Sequence, residues 1–280
     1  MTADITVLIC IYNRPEYLPA VLETVAQQSL QPAEILIIDD GSSSPIEVES
    51  NDTIRVIRHD RNRGAAAARN TGIKAARSSF IALLDTDDSW QPDKLARQYE
   101  LLSQADTDVF GVFTAFRRIG RDMRAGCVRM PHISDWRRFF LMGIRSGPGS
   151  TLMFRRSACL ESALFDENLR RYEDWDWLMN VTQSGKCLFL YIDDPLADVL
   201  LSGRPTIATT SAALDCIERH HLPRLHSARD RRLFRAAVAV ERAAIARWAG
   251  RYVDAFFHCL TAVKAPEVVI RELRLTLNIS

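Results

Sequence analysis

Four short apolar runs constrain this chain more than any other feature. Residues 5–12, 35–38, 54–57 and 80–84 are dominated by Ile, Val and Leu, and residues 80–84 carry no polar residue at all. A strand with one wet face alternates apolar and polar positions; a strand buried on both faces does not. Helical patterns lie between the runs. Pro15 sits where a helix would begin, and Leu18, Val21, Leu22 and Val25 follow at i, i+3, i+4 and i+7. Residues 64–76 are rich in alanine, and Pro92 precedes Leu95, Tyr99 and Leu102 on one helical face. This β-α-β-β-α-β-α order predicts an α/β fold, a doubly wound and mainly parallel sheet with both faces covered. Ligands of such sheets bind outside the carboxyl ends of the strands. Tyr12 and Asn13, Asp39 and Asp40, and Asp85 to Asp88 follow those ends, so all are expected on one edge.

The remainder is less regular. A strand is expected at 109–116, a turn at Gly147-Pro148-Gly149, a short helix at 173–182, a strand at 187–192, and helices from about residue 209 onward. Residues 218–251 hold nine arginines against three acids.

Composition narrows the classes. The chain has 280 residues, 47% of them hydrophobic, with 36 basic against 35 acidic side chains. That is enough apolar material for a sizeable core, which excludes a disordered chain. A net charge of +1 argues against a dedicated nucleic-acid binder. No apolar run approaches the ~18 residues of a membrane span, and no secretory leader is recognisable. Cys10, Cys127, Cys159, Cys187, Cys216 and Cys259 are scattered, with no zinc-site or disulfide spacing, so a cytoplasmic protein is expected.

Four segments carry chemistry. Asp85-Thr86-Asp87-Asp88 closes an apolar strand and crowds three acids into four residues. Hard divalent ions such as magnesium or manganese take oxygen ligands of this kind together with substrate phosphates; the plainer reading is a solvated turn that caps the next helix. Asp39-Asp40-Gly41-Ser42 ends the second strand, where a carboxylate can accept from a base edge or a ribose, or simply close an Asx turn. Gly64 and Arg69 open the alanine-rich helix in a way that suits a diphosphate, or are packing and solvated charge. Far downstream, Glu173-Asp174-Trp175-Asp176-Trp177 sets acids beside indoles. Such acids can have raised pKa values and act as a general base, and tryptophans stack on sugar rings; the alternative is an amphipathic helix with Trp in the core.

Taken together these pieces resemble glycosyltransferase family 2, the inverting group with the GT-A fold. The resemblance is carried by Ile11-Tyr12-Asn13-Arg14, Ile37-Ile38-Asp39-Asp40-Gly41-Ser42, Asn62-Arg63-Gly64 through Ala68-Arg69-Asn70, Asp85-Thr86-Asp87-Asp88-Ser89-Trp90, and Phe165-Asp166-Glu167 with Glu173-Asp174-Trp175-Asp176. It spans roughly residues 4–200. It implies a Rossmann-like GT-A domain over residues 1–205, with a nucleotide-sugar half (1–105) and an acceptor half (106–205), followed by a helical extension over 206–280. It further implies Asp174 as catalytic base and Asp85 and Asp87 as ligands of a divalent metal, manganese or magnesium. Tyr12, Asn13, Asp40, Arg69, Asp85, Glu173 and Trp175 are the implied substrate-binding residues, with Cys10 beside the base pocket. The implied donor is a nucleotide-linked sugar, by family habit a UDP-sugar, and the acceptor a saccharide or lipid-linked saccharide of the bacterial cell surface.

Two segments depart from the family pattern. No Arg-x-His stretch follows the strand near residue 198, where Arg204 is the nearest candidate to hold a diphosphate. The Gly-Gly-Phe-Asp-Glu of many relatives is reduced to Ala163-Leu164-Phe165-Asp166-Glu167. The basic C-terminal helices fit either a peripheral contact with an anionic inner-leaflet surface or a packed cap or homodimer face. A dehydrogenase is excluded by the absence of G-x-G-x-x-G after the first strand, and a nucleotidyltransferase by the absence of a glycine-rich basic loop there. A catalytically silent sugar-nucleotide binder is the remaining alternative, expected to have lost one of the acidic motifs that this chain retains.

Overall fold

A computed structural model describes residues 2–49, 51–119, 125–130, 133–143, 148–183, 188–200 and 206–277. Three expected features therefore lie outside the described residues: Gly147 of the turn, Cys187 at a strand start, and Arg204.

The first half follows the expected order: β1 (Thr2–Ile11), α1 (Leu18–Ala26), β2 (Gln31–Asp39), β3 (Ile54–Arg58), α2 (Ala65–Ala75), β4 (Phe80–Asp85), the short β5 (Ser89–Trp90) and α3 (Lys94–Gln104). The second half adds β6 (Val109–Ile119), β7 (Ala125–Val128), α4 (Trp136–Leu141), α5 (Pro148–Thr151), β8 (Met153–Arg155), α6 (Arg156–Ser162), α7 (Glu173–Gln183) and β9 (Leu188–Leu200). Four helices close the chain: α8 (Ile207–His221), α9 (Ala228–Trp248), α10 (Tyr252–Ala262) and α11 (Pro266–Leu277).

One sheet runs through both halves, in the order β3-β2-β1-β4-β8-β6-β9-β5, with β7 alongside β6. The strands β3, β2, β1 and β4 are all parallel. Beyond them the sheet is mixed, because β8 runs antiparallel to both β4 and β6 while β9 returns parallel to β6. The parallel character read from the sequence thus belongs to the first half.

Alternate residues of the central strands feed two separate cores, as the period of two requires. Leu8, Leu36, Ile38, Ile81 and Leu83 point to one face, and Val7, Ile9, Ile35, Ile37 and Leu84 to the other. Both faces are covered, which is why these runs show no polar alternation. The first core also takes in Trp175 and Trp177 of α7, Leu214 and Ile217 of α8, and Leu233 and Phe234 of α9. The C-terminal helices therefore share a hydrophobic core with the sheet.

Strand order reverses at β1, with β2 on one side and β4 on the other. Register sets Ile11 opposite Asp39 and Cys10 opposite Asp85. The acids at the ends of β2 and β4 consequently stand on the same edge, at the topological switch point.

Candidate active site

The loop after β1 turns sharply at Asn13, whose φ of 52° lies in the left-handed region. Its side chain accepts from Ser43 N at 2.7 Å, and its own N–H donates to Ser42 Oγ at 2.9 Å, tying this loop to the one after β2. Gly41 at the β2 turn has φ 73°, and a Cβ there would collide with the backbone of Arg61, so no other residue fits. Tyr12, 45% exposed, leaves its ring open at this edge. Beside it the Cys10 thiol is pushed up to about 12 by burial and takes no part as a thiolate.

Asp39 and Asp40 are both buried. Burial opposes the ionised form of Asp39, but hydrogen bonds from Ser42 and the charge of Arg58 outweigh it and hold its pKa low. Asp40 stands at the expected edge with both oxygens engaged inside the fold. Oδ1 meets His59 Nδ1 and accepts from Arg63 N; Oδ2 accepts from Asn62 and from Gly64 N. It braces the loop that leads into α2.

Arg69 joins the two halves. Its Nη1 donates to Glu173 Oε1 at 2.7 Å and its Nη2 to Asp85 Oδ1 at 3.2 Å, while the guanidinium lies 5.5 Å from the Phe165 ring centroid. The two carboxylates outweigh its burial and keep it protonated. Next to it, Asn70 exchanges hydrogen bonds with both backbone groups of Phe165 and donates to Glu167 at 3.0 Å. The motif at 69–70 and the motif at 165–167 are thus one unit, although 95 residues separate Asn70 from Phe165.

At the end of β4, Asp85, Asp87 and Asp88 crowd together. Burial and the neighbouring charges of Asp85 and Asp87 push the Asp88 carboxyl up to about 8, against hydrogen bonds from Ser150 and Leu200 N. Ser150 Oγ donates to Asp88 at 2.6 Å, and a Cβ on Gly149 would collide with Asp85 Oδ2. Arg14 lies 3.5 Å from Asp87. Carboxylates this close repel one another, and hard oxygen donors such as Asp85 and Asp87 suit a divalent cation whose remaining positions would go to phosphate oxygens.

Tyr172, with φ 58°, delivers the chain into α7 and anchors it by donating from its hydroxyl to Glu241 of α9 at 2.7 Å. A non-glycine residue held in this region immediately before Glu173 and Asp174 marks a backbone fixed by its surroundings. Burial, followed by the charge of Glu173, raises the Asp174 carboxyl to about 7 despite Arg69 nearby. An acid with that pKa is poised to accept a proton near neutrality.

Trp175 requires a correction. Its indole, expected against a sugar, is 0% exposed, packs against Tyr172 and Phe234, and donates to Phe140 O at 2.7 Å. One residue after Asp174, the helix turns it into the core.

Sequence reasoning also missed a buried cluster behind the site. Asp176 Oδ1 lies 2.7 Å from His221 Nε2 and 3.2 Å from His220 Nδ1, and Asn180 donates to Oδ2 at 2.9 Å. Gln183 Nε2 lies 3.0 Å from the other nitrogen of His221. Among the described residues this is the one Asp/His grouping whose three ligand atoms could hold a metal, all within 4.8 Å of one another. Asp176 stands roughly 200° around the helix from Asp174, away from the β4 acids. The only signal was the adjacent His220-His221 pair, and no spacing rule connects it to Asp176.

Comparisons with known proteins show the family and the fold. The glycosyl transferase family 2 profile matches residues 6–161. An uncharacterized glycosyltransferase of Haemophilus influenzae is 26% identical over 236 residues, covering 81% of this chain and 80% of that protein. The succinoglycan biosynthesis protein ExoW of Rhizobium meliloti is 38% identical over 117 residues, 39% of this chain and 37% of that one. Among solved structures, TarS of S. aureus superposes with a TM-score of 0.61 at 16% identity, covering 94% of this chain and 53% of TarS, so the chain spans about half of that protein. TarS residues 1–349 in complex with UDP-GlcNAc give a TM-score of 0.57 at 13% identity, covering 94% of this chain and 91% of that one. With its motifs on one edge of a GT-A sheet and the family profile matched over more than half its length, this chain belongs to glycosyltransferase family 2.

Proposed function

We propose that this chain transfers a sugar from a UDP-linked donor to a hydroxyl of a saccharide or lipid-linked saccharide in bacterial cell-surface polysaccharide synthesis, with inversion and with a divalent cation, manganese or magnesium. The observation that carries the reading is the Arg69 fork, which joins Asp85 at the end of β4 to Glu173 at the start of α7 and so brings Asp174 to the acidic edge. The donor class is supported by TarS, crystallised with UDP and with UDP-GlcNAc, and the pathway class by ExoW, named for succinoglycan biosynthesis.

In this reading Asp85 and Asp87 hold the cation, which when bound neutralises charge on the leaving diphosphate. Arg69 keeps Asp85 and Glu173 fixed and adds a permanent positive charge beside the phosphates. Tyr12 and Asn13 line the base side of the cleft, and the loop braced by Asp40 shapes it. Asp174 takes the proton of the attacking hydroxyl as the new glycosidic bond forms and the bond to the diphosphate breaks. One in-line displacement inverts the anomeric carbon. Scattered cysteines, free where described, suit a cytoplasmic enzyme.

Calorimetric titration with UDP, GDP, CDP and dTDP, each with and without manganese, tests the proposal. Metal-dependent binding of UDP that disappears in Asp87→Ala is expected, together with slow release of UDP from a UDP-sugar. Binding without release would identify a silent binder, and binding of none of the four would remove the donor assignment.

A further inference from the structure

Helix α10 is built inside out. The residues it turns toward α9 are Asp254, Ala255, His258 and Ala262, small or polar and at least partly covered. Its outer face carries Tyr252, Val253, Phe256, Phe257, Leu260 and Val263, each between 50% and 71% exposed. At 3.6 residues per turn these six fall within an arc of roughly 140°. Trp248, 60% exposed, ends α9 just before the Gly250 turn that leads into α10. Single exposed apolar residues are ordinary, but a helix that turns its aromatic stripe outward and its small residues inward presents that stripe to something.

The charges around the stripe indicate what it meets. Arg247 and Arg251 flank one end and Lys264 the other; the one acid in the segment, Asp254, lies off the apolar arc, 2.6 Å from Arg251. Among the described residues no helix is long and apolar enough to cross a membrane. Tryptophan, tyrosine and phenylalanine on one face, bordered by basic residues, is the composition of a helix that lies in a membrane interface. A two-fold pairing of α10 with a second copy would set Arg251 of each against Lys264 of the other, like charge against like. We propose that the outer face of α10, with Trp248, docks on an anionic phospholipid surface, the helix lying in the plane of the interface. This inference stands on α10 alone and is independent of the transferase reading.

Trp248 supplies the probe. The other four tryptophans, Trp90, Trp136, Trp175 and Trp177, are buried, so a change in emission on adding vesicles reports Trp248. With phosphatidylglycerol-containing vesicles the full chain should co-sediment, its emission should shift to the blue, and brominated acyl chains should quench it. Vesicles of phosphatidylcholine alone should bind roughly tenfold more weakly, since basic residues near the surface add affinity for anionic lipid only. The double variant Phe256→Ser/Phe257→Ser should lose at least tenfold in vesicle binding while its unfolding midpoint and nucleotide binding stay unchanged. Failure to co-sediment with the anionic vesicles, or binding that the double variant leaves intact, overturns the proposal. A dimer that the double variant dissociates, without vesicle binding, assigns the face to a second copy and overturns it equally.

Discussion

Replacing Asp174 by Asn should make the protein more stable and greatly slow turnover, and the stability gain should depend on pH. Burial and Glu173 raise this carboxyl from an ordinary 3.8 to about 7, a shift of about three pH units. Each unit corresponds to about 1.36 kcal/mol, so ionising Asp174 in the folded chain costs about 4 kcal/mol at most. Between those two pH values the folded chain retains a proton that the unfolded chain has released, so the stability of the wild type falls as pH rises through that window. Asparagine keeps an oxygen to accept from Trp175 N, as Asp174 Oδ1 does at 2.8 Å, and never ionises. The variant should therefore exceed the wild type by about 2 kcal/mol at pH 5 and about 4 kcal/mol at pH 8. With an unfolding entropy of about 2.1 cal/mol/K per residue, the difference at pH 8 is an increase of about 7 °C in Tm, falling to about 3 °C at pH 5. The assay is thermal unfolding of metal-free, nucleotide-free protein at both pH values, paired with release of nucleoside diphosphate. Turnover should fall about 10²–10⁴-fold. Equal Tm shifts at the two pH values, or none, would show that Asp174 titrates in its ordinary range and is not the poised base.

Three further substitutions test the rest of the cleft. Asp40→Ala leaves His59, Asn62 and two backbone N–H groups without their acceptor and should cost about 3 kcal/mol or more in urea unfolding; an unchanged midpoint would show that the carboxylate is not a brace. Gly149→Ala drives a methyl group into Asp85 and should lower kcat at least tenfold with Tm within a few degrees of wild type, so an unaltered kcat would place Asp85 away from the chemistry. Arg69→Lys keeps the charge but loses the fork between Glu173 and Asp85, and turnover should fall at least tenfold; full activity would mean that charge alone suffices there.

Much of this was legible in the sequence because it is local. An apolar run followed by Asp85-Thr86-Asp87-Asp88 fixes both the strand and the edge that its acids occupy. What escaped was pairing at long range. No local pattern says that Asn70 holds Phe165, that Ser150 clamps Asp88, or that His220 and His221 close on Asp176. Trp175 was misread for the same reason. Whether an indole next to an acidic pair faces a ligand or a core depends on which elements cover the helix, and those are α4, α8 and α9, remote in sequence. The arginine-rich tail drew attention to charge, whereas the structure exposes the aromatic face of α10 instead.

The shared core has a consequence for how the chain is made. The buried side of α7 is completed by Leu214, Ile217, Leu233, Phe234 and finally Val268, all of which leave the ribosome after it. Helix α7 therefore waits, with the side of Trp175 that meets Phe234 uncovered, until α9 has been made. A nascent chain stalled or cut near residue 205 would carry every acid of the cleft and still present an open indole surface, a substrate for chaperones and proteases rather than a slower transferase.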